Sequence, residues 1–291
     1  MFIVTYRKIF YILSLIFIGV SFASLLMWGL NFGIDFTGGS LVEVAYTDTR
    51  PDAAAVKVKL DTLALSEYSL RETGDKGFLL RLHYMDQKTH ESVLGALKGN
   101  GAWPLEEKRF DSVGPTIGAE LRGKAVLSLA FVILAIVLFI TFAFRQVSEP
   151  VSSWKYGLIA IVALLHDVII PTGAFSLLGH FLGYEVDALF ITALLVVLGF
   201  SIHDTIVVFD RVRENLKVNR EAHRKEDFSD TVGKSIAQTF TRSINTSLTT
   251  VLALLALFFL GSEATRHFSL ALLIGIIAGT YSSVFLGSPL L

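Results

Sequence analysis

The sequence predicts a helical membrane protein with six transmembrane helices and one small α+β domain of ferredoxin-like order, held outside the cytoplasm. Of the 291 residues, 53% are hydrophobic and 18% are charged, whereas soluble domains carry about 25% charged residues. The mean hydropathy is +0.60. The apolar residues gather in six long runs, and the segment between the first two runs alternates between strand and helix signals.

Each of the six runs approaches the roughly 20 apolar residues that a helix needs to cross a bilayer. They are Ile9–Leu30, Ala125–Phe144, Tyr156–Leu178, Ala188–Phe209, Ile244–Leu260 and Phe268–Leu286. The first run is too long for the hydrophobic core of a signal peptide, so we expect it to remain as an anchor.

Lysine and arginine near the runs predict the orientation, because cytoplasmic loops are enriched in them. Arg7 and Lys8 precede the first run, Arg145 and Lys155 follow the second, and the segment Arg211–Arg242 holds eight basic residues against five acidic ones. We therefore expect both termini and a loop at 211–241 in the cytoplasm, and the domain on the periplasmic side. The predicted organisation is transmembrane helix 1 at 1–30, the domain at 31–118, and transmembrane helices 2–6 at 119–291.

The domain is predicted to run βαββαβ, the order of ferredoxin-like folds. β-Branched and aromatic residues mark its strands, and Gly74–Asp75 marks a hairpin turn. The expected strands are Ser40–Thr47, Glu67–Glu72, Gly77–Tyr84 and Trp103–Val113, with one helix from Pro51 to about Leu65 and another at Thr89–Leu97.

The composition argues against several classes of function. A net charge of -1 gives no reason to expect nucleic-acid binding, and the absence of cysteine excludes disulfides and thiolate chemistry. The seven histidines have no spacing typical of metal ligands. No catalytic constellation is found, so we expect no metal, no cofactor and no enzymatic activity.

Ionisable side chains within the runs are the candidates for function, because burying them in hydrocarbon is costly. Asp204 lies in the fourth run, with Ser201 on its helix face and His203 and Thr205 beside it. The alternative is that the helix ends early and leaves Asp204 at the membrane interface.

A second candidate is Arg242, where the fifth run begins. It shares a helical stripe with Gln238, Asn245, Thr246 and Thr249, and we expect such a stripe to face the interior of the bundle. Arg242 would then be the partner of Asp204. The alternative is an ordinary arginine that flanks a span on the cytoplasmic side.

A third candidate is the pair His166–Asp167, in the middle of the third run and four residues before Pro171. The proline frees a backbone carbonyl. The pair is either a structural hydrogen-bonding node or part of an ion path, and the sequence favours neither.

A buried carboxylate beside an arginine is suited to taking up and releasing a proton. Burial disfavours its ionised form, and a neighbouring arginine favours it. If helix movement makes and breaks an Asp204–Arg242 pair, Asp204 takes up a proton in one state and releases it in the other. Each charge moved across the membrane contributes about 2.3 kcal/mol per 100 mV.

Several motifs together carry a family resemblance. GIDFTGG at Gly33–Gly39 follows the first run, and VGPTIGAEL at Val113–Leu121 precedes the second. SIHDTIVVFDRVREN at Ser201–Asn215 ends the fourth run, and RSINTSLTT at Arg242–Thr250 opens the fifth. In this order the chain resembles the SecF family of bacterial protein-export subunits, which are relatives of the RND transporters.

The resemblance implies that the six spans are half of an RND-type core. Such a protein works with SecD beside the SecYEG channel and uses the proton-motive force to draw translocating preproteins outward, in contact with membrane lipids. The family's relay residues fall on Asp204 and Arg242, and His203 stands where the family usually has asparagine. The family's turn motif contains Gly33, Asp35, Gly38 and Gly39. The intramembrane polar residues that we expect to support the relay are His166, Asp167, Ser201, His203, Thr205, Asn245 and Thr246.

Three alternatives remain. The first is an RND-type exporter half for lipids or small molecules, although such exporters usually carry larger outside domains. The second is an intramembrane aspartyl protease using Asp167 and Asp204, although its motif needs a glycine where His203 stands. The third is a passive assembly factor of the translocon, in which the charges only fix helix packing.

Overall fold

The structure, a computed structural model, describes residues 2–65, 67–145 and 152–291. It divides into two compact units, one made of Met1–Asn31 with Val126–Leu291 and the other of Phe32–Ala125. The predicted connection between Arg145 and Lys155 lies mostly outside the described residues.

The elements are numbered in chain order. The helices are α1 (Phe2–Thr5), α2 (Arg7–Trp28), α3 (Ile34–Thr37), α4 (Ala53–Asp61), α5 (Gln87–Leu97), α6 (Pro115–Ala143), α7 (Ser153–Leu182), α8 (Ala188–Glu221), α9 (Phe228–Leu260) and α10 (Glu263–Tyr281). The strands are β1 (Gly39–Tyr46), β2 (Tyr68–Thr73), β3 (Gly77–Leu82) and β4 (Leu105–Val113). Short 3-10 turns lie at Gly99–Gly101 and Ser288–Leu290, and a π-helical turn at Ser282–Gly287 follows α10.

The six predicted runs are all helical. Helices α2, α6, α7, α8, α9 and α10, the last with the turns that follow it, are long and apolar enough to cross a membrane. The prediction of six apolar helices and one small α+β domain is therefore confirmed.

The segment 211–241, predicted as a loop, is helical except for a turn at 222–227. Helices α8 and α9 continue past their apolar runs because Val212, Val232 and Ile236 form a buried cluster between them. At the turn, the Asn219 side-chain amide donates to the Glu226 carboxylate at 2.6 Å. This hydrogen bond lowers the pKa of Glu226 below its ordinary value.

The unit of residues 32–125 is a four-stranded sheet of order β2-β3-β1-β4 with every neighbouring pair antiparallel. Helices α4 and α5 bury their apolar side chains against it, in a core that contains Val42, Val44, Phe78 and Leu80. This arrangement is the ferredoxin-like order that the sequence predicts. The first helix is shorter than predicted: Pro51 precedes its N-cap residue, and it ends at Asp61.

The GIDFTGG motif is a tight turn whose two last glycines are required by geometry. Gly38 has φ +74° and Gly39 has φ +133°, a region that side chains with a Cβ rarely adopt. A Cβ on Gly38 would lie 2.7 Å from Pro115 Cα, and one on Gly118 would lie 2.8 Å from the Gly38 nitrogen. The GIDFTGG and VGPTIGAEL motifs therefore pack backbone against backbone. Asp35 lies in the first turn of α3.

We expect Gly38→Ala to destabilise the sheet unit by about 3 kcal/mol, because it combines backbone strain with a clash against Pro115. Gly74→Ala is the matched control: Gly74 also has positive φ, but a Cβ there meets nothing within 4 Å. We expect the control to lose about 1 kcal/mol. Hydrogen exchange of the β1 amides in the full chain measures both, and equal losses would show that the contact with Pro115 is unimportant.

Candidate functional site

Small residues let α8 and α10 approach closely, and this contact shapes the candidate site. A Cβ on Gly275 would clash with Val197, and one on Gly279 would lie 2.9 Å from Ser201 Cβ. Glycines four residues apart form a common close-packing motif between transmembrane helices. The result is that the backbone of α10 lies against the face of α8 that carries Ser201.

Asp167 is the centre of a buried hydrogen-bond network. Its Oδ2 accepts hydrogen bonds from the hydroxyls of Ser201 on α8 and of Ser282 after α10, the second at 2.9 Å. His166 Nδ1 lies 2.9 Å from Asp167 Oδ1. Asp167 and Ser282 are 0% exposed and Ser201 is 1% exposed. The carboxylate therefore links α7, α8 and the C-terminal end of α10.

A second set of hydroxyls surrounds the Ser201 carbonyl. Thr205 Oγ1 donates to it at 3.3 Å, and Ser283 Oγ donates to it at 3.0 Å. The two hydroxyls lie 2.9 Å apart. Ser282 thus donates to α7 and Ser283 donates to α8. These consecutive serines lie in the π-helical turn at Ser282–Gly287. Such turns occur frequently at functional sites.

Asp204 lies one helical turn beyond Ser201 and differs from Asp167 in its surroundings. It is 4% exposed, yet its Oδ2 has no hydrogen-bond partner among the described residues. The charges of His203 and Arg242 and the Ser243 hydroxyl all act on this carboxylate. The Ser243 hydroxyl of α9 is also buried and lies beside the carboxylate without good hydrogen-bond geometry. The contact between α8 and α9 therefore holds two unsatisfied polar groups.

Arg242 acts on Asp204 electrostatically, but the two form no ion pair within 4.0 Å in the described part of the chain. Its side chain is exposed, as are those of Gln238, Asn245 and Thr249, and Thr246 is half-buried. The predicted polar stripe thus does not face the interior of this chain's own bundle.

The buried polar face of α9 is a different one. It consists of small hydroxyl-bearing residues at helical spacing: Thr231, Ser235, Thr239, Ser243 and Ser247. Their size allows close packing, and Thr280 of α10 donates to the Ser247 hydroxyl at 2.7 Å. The interior face of α9 is therefore formed by these small side chains, and the larger side chains of the stripe lie on another face.

The remaining predicted residues divide between the network and the surface. His203 is exposed. His166 is buried, with its ring stacked 6.1 Å from the ring of Tyr281, so the pair His166–Asp167 forms a hydrogen-bonding node.

Residues that sequence reasoning missed are Ser243, Gly275, Gly279, Ser282 and Ser283. The spacing of Gly275 and Gly279, followed directly by two serines, is the signal that would have indicated this contact.

Comparisons with known proteins agree on one family. The family described as "Protein export membrane protein SecD/SecF, C-terminal" matches residues 93–291, and the "SecD/SecF GG Motif" matches residues 24–49. The second range contains Gly33, Asp35, Gly38 and Gly39.

Curated relatives match nearly the whole chain. "Protein translocase subunit SecF" of Thermobaculum terrenum is 42% identical over 303 residues, covering 99% of this chain and 92% of the relative. The protein of the same name from Pseudomonas aeruginosa is 36% identical over 287 residues, covering 98% and 88%.

Two solved structures share the fold. The crystal structure of SecDF, "a translocon-associated membrane protein" from Thermus, superposes with a TM-score of 0.82 at 32% identity. SecDF in a "Super-membrane-facing form" gives a TM-score of 0.64 at 31% identity. Each match covers 99% of this chain but only 37% of the SecDF chain.

We expect Asp167→Ala to lower the free energy of unfolding by about 3 kcal/mol, because the buried Ser201 hydroxyl loses its acceptor and His166 loses its partner, while Ser282 keeps only the Gly279 carbonyl. Ser201→Ala removes one donor and should lose about 1 kcal/mol. Thr192→Ala, on the exposed face of the same helix, is the control and should change stability by less than about 0.5 kcal/mol. Unfolding of the purified chain in detergent measures all three. A loss for Asp167→Ala no larger than the control's would contradict the network's structural role.

Proposed function

Because the chain belongs to the SecF family of protein translocase subunits, we propose that it works with SecD beside the SecYEG channel and uses the proton-motive force to drive preprotein export. The chain is a multi-pass membrane protein. We further propose that both termini and the turn at 222–227 lie in the cytoplasm, that the sheet unit lies in the periplasm, and that the protein has no enzymatic activity of its own.

The observation that carries the proposal is the buried carboxylate of Asp204, whose Oδ2 has no hydrogen-bond partner among the described residues. A carboxylate in this position is stable either with a proton or with a cationic partner. Arg242 is close enough to act on it electrostatically but forms no ion pair with it. A small movement of α9 against α8 that closes this gap would favour release of the proton, and the reverse movement would favour its uptake. The proton-motive force then supplies energy for the movement.

The exposed polar stripe on α9 supports the proposal that a second subunit packs against this helix in the membrane. Arg242 and Asn245 would contact lipid if α9 had no neighbour on that side, which is unfavourable in hydrocarbon. The chain spans 37% of the SecDF chain whose fold it shares, and we propose that a SecD subunit covers this face.

The geometry also bears on the alternatives. Both oxygens of Asp167 are engaged by Ser201, Ser282 and His166, and no hydrogen bond joins Asp167 to Asp204 in the described part of the chain. An aspartyl protease needs two carboxylates that share a proton, so this arrangement argues against that reading. An exporter half for lipids or small molecules has no observation in its favour here.

We expect Asp204→Asn to abolish the gradient-dependent part of preprotein export, because asparagine keeps the size of aspartate but cannot titrate. Asp210→Asn is the matched control, since Asp210 is an exposed carboxylate on the same helix, 3.6 Å from Arg213. Export into vesicles with an imposed proton gradient measures both variants, and co-purification of SecD checks assembly. Full gradient dependence in an assembled Asp204→Asn complex would favour the passive assembly factor instead.

A further inference from the structure

Two cavities adjoin each other where α1 and the start of α2 meet the start of α9. The first, about 460 Å³, is lined by Val4, Thr5, Arg7, Lys8, Ser229 and Asp230. The second, about 390 Å³, shares Val4 with the first. Its other lining residues are Ile3, Gly233, Ile236, Ala237, Phe240 and Phe285.

The two cavities differ sharply in chemistry. Two cationic side chains and one carboxylate line the first, and within the described part of the chain no ion pair within 4.0 Å joins Arg7, Lys8 and Asp230. Every residue that lines the second is apolar. A ligand that fills both therefore has a charged end and a hydrocarbon end.

The order of the lining residues along α9 gives the pair of cavities a direction. Asp230 lies in the first turn of α9, and Gly233, Ala237 and Phe240 follow on successive turns of one face. Ten residues of helix span about 15 Å, so the apolar cavity extends from the charged one along the helix. Arg7 directly opens the apolar helix α2. Phe240 lies four residues before the apolar run of α9, and the Phe285 ring lies 4.6 Å from that of Phe10 in the first apolar run. The apolar cavity is therefore the end of the pair nearer the hydrocarbon, and the charged cavity is the end nearer the solvent.

We propose that these cavities bind one phospholipid whose headgroup carries both a phosphate and an amine, such as phosphatidylethanolamine. The guanidinium of Arg7 and the ammonium of Lys8 bind the phosphate, for which both groups are well suited. The Asp230 carboxylate accepts hydrogen bonds from the headgroup ammonium, and one acyl chain fills the apolar cavity beside Phe240. A headgroup with negative charge alone would place that charge near Asp230. This site is separate from Asp204 and does not rest on the proposed transport function.

Native mass spectrometry of the full-length chain, titrated with phosphatidylethanolamine or phosphatidylglycerol, tests the proposal. Lys8→Gln should weaken binding of both lipids about tenfold, the effect of losing one charge-assisted hydrogen bond. Asp230→Asn should weaken phosphatidylethanolamine binding and strengthen phosphatidylglycerol binding, which reverses the preference. Ala237→Trp fills the apolar cavity and should abolish the binding of both.

The matched controls lie on the neighbouring extension of α8. Lys217→Gln removes an exposed lysine that pairs with Glu221 at 3.9 Å, and Val218→Trp adds a bulky side chain at an exposed position. Both should leave lipid binding unchanged. Unchanged lipid preference in Asp230→Asn would overturn the assignment of the headgroup. If Ala237→Trp binds lipid normally but loses a second copy of the chain or the SecD subunit, the groove is a protein contact and the proposal is wrong.

Discussion

The absence of water in the hydrocarbon core is the constraint on which the helical unit depends, because every polar group there must find its partner in protein. Asp167 meets this constraint completely, since two serine hydroxyls and an imidazole surround its carboxylate. Asp204, one turn from Ser201 on α8, does not meet it, because one of its oxygens has no partner. We therefore propose opposite roles for the two carboxylates: Asp167 fixes the helices, and Asp204 changes its protonation.

The contacts around α8 differ between its neighbouring helices near the candidate site. Close packing at Gly279 and the hydroxyls of Ser282 and Ser283 bind α8 to the last helix, and Asp167 binds it to α7. The contact with α9 near Asp204 contains instead the unsatisfied Ser243 hydroxyl. Away from Asp204, Asn215 of α8 donates to Ser235 of α9 at 2.8 Å, and Thr280 of α10 donates to Ser247 at 2.7 Å. We therefore propose that movement at the candidate site is local to the part of α9 around Ser243, next to Arg242.

The number of membrane-length helices and the order of elements in the domain follow from composition along the chain, and the sequence predicts both. Six runs of sufficient length gave the six helices, and alternating strand and helix signals gave the ferredoxin-like order, with the main error at the first helix of the domain. The helical extensions at 211–241 were missed because their residues are mostly polar, and hydropathy does not distinguish a solvated helix from a loop. Asp204 was found because a charge in an apolar run is visible without a structure.

Which side of each helix faces the protein interior is harder to predict from the sequence. Polarity alone predicts that Arg242 and Asn245 face the interior. The interior face of α9 is determined instead by side-chain size, and small residues such as Ser243 and Ser247 occupy it. Likewise, the network at Asp167 depends on Ser282, more than a hundred positions away in the chain. Such contacts follow from how α8 and α10 pack, and single-sequence periodicity does not report which small residues meet.

The most direct test of this account concerns the exposed polar face of α9. The chain contains no cysteine, so Asn245→Cys provides a single attachment point for a photoreactive group in native membranes. If the stripe is covered by a second subunit, irradiation should produce an adduct with SecD. Adducts with lipid alone would show that the stripe faces the bilayer, and would contradict the account of a relay completed by a partner.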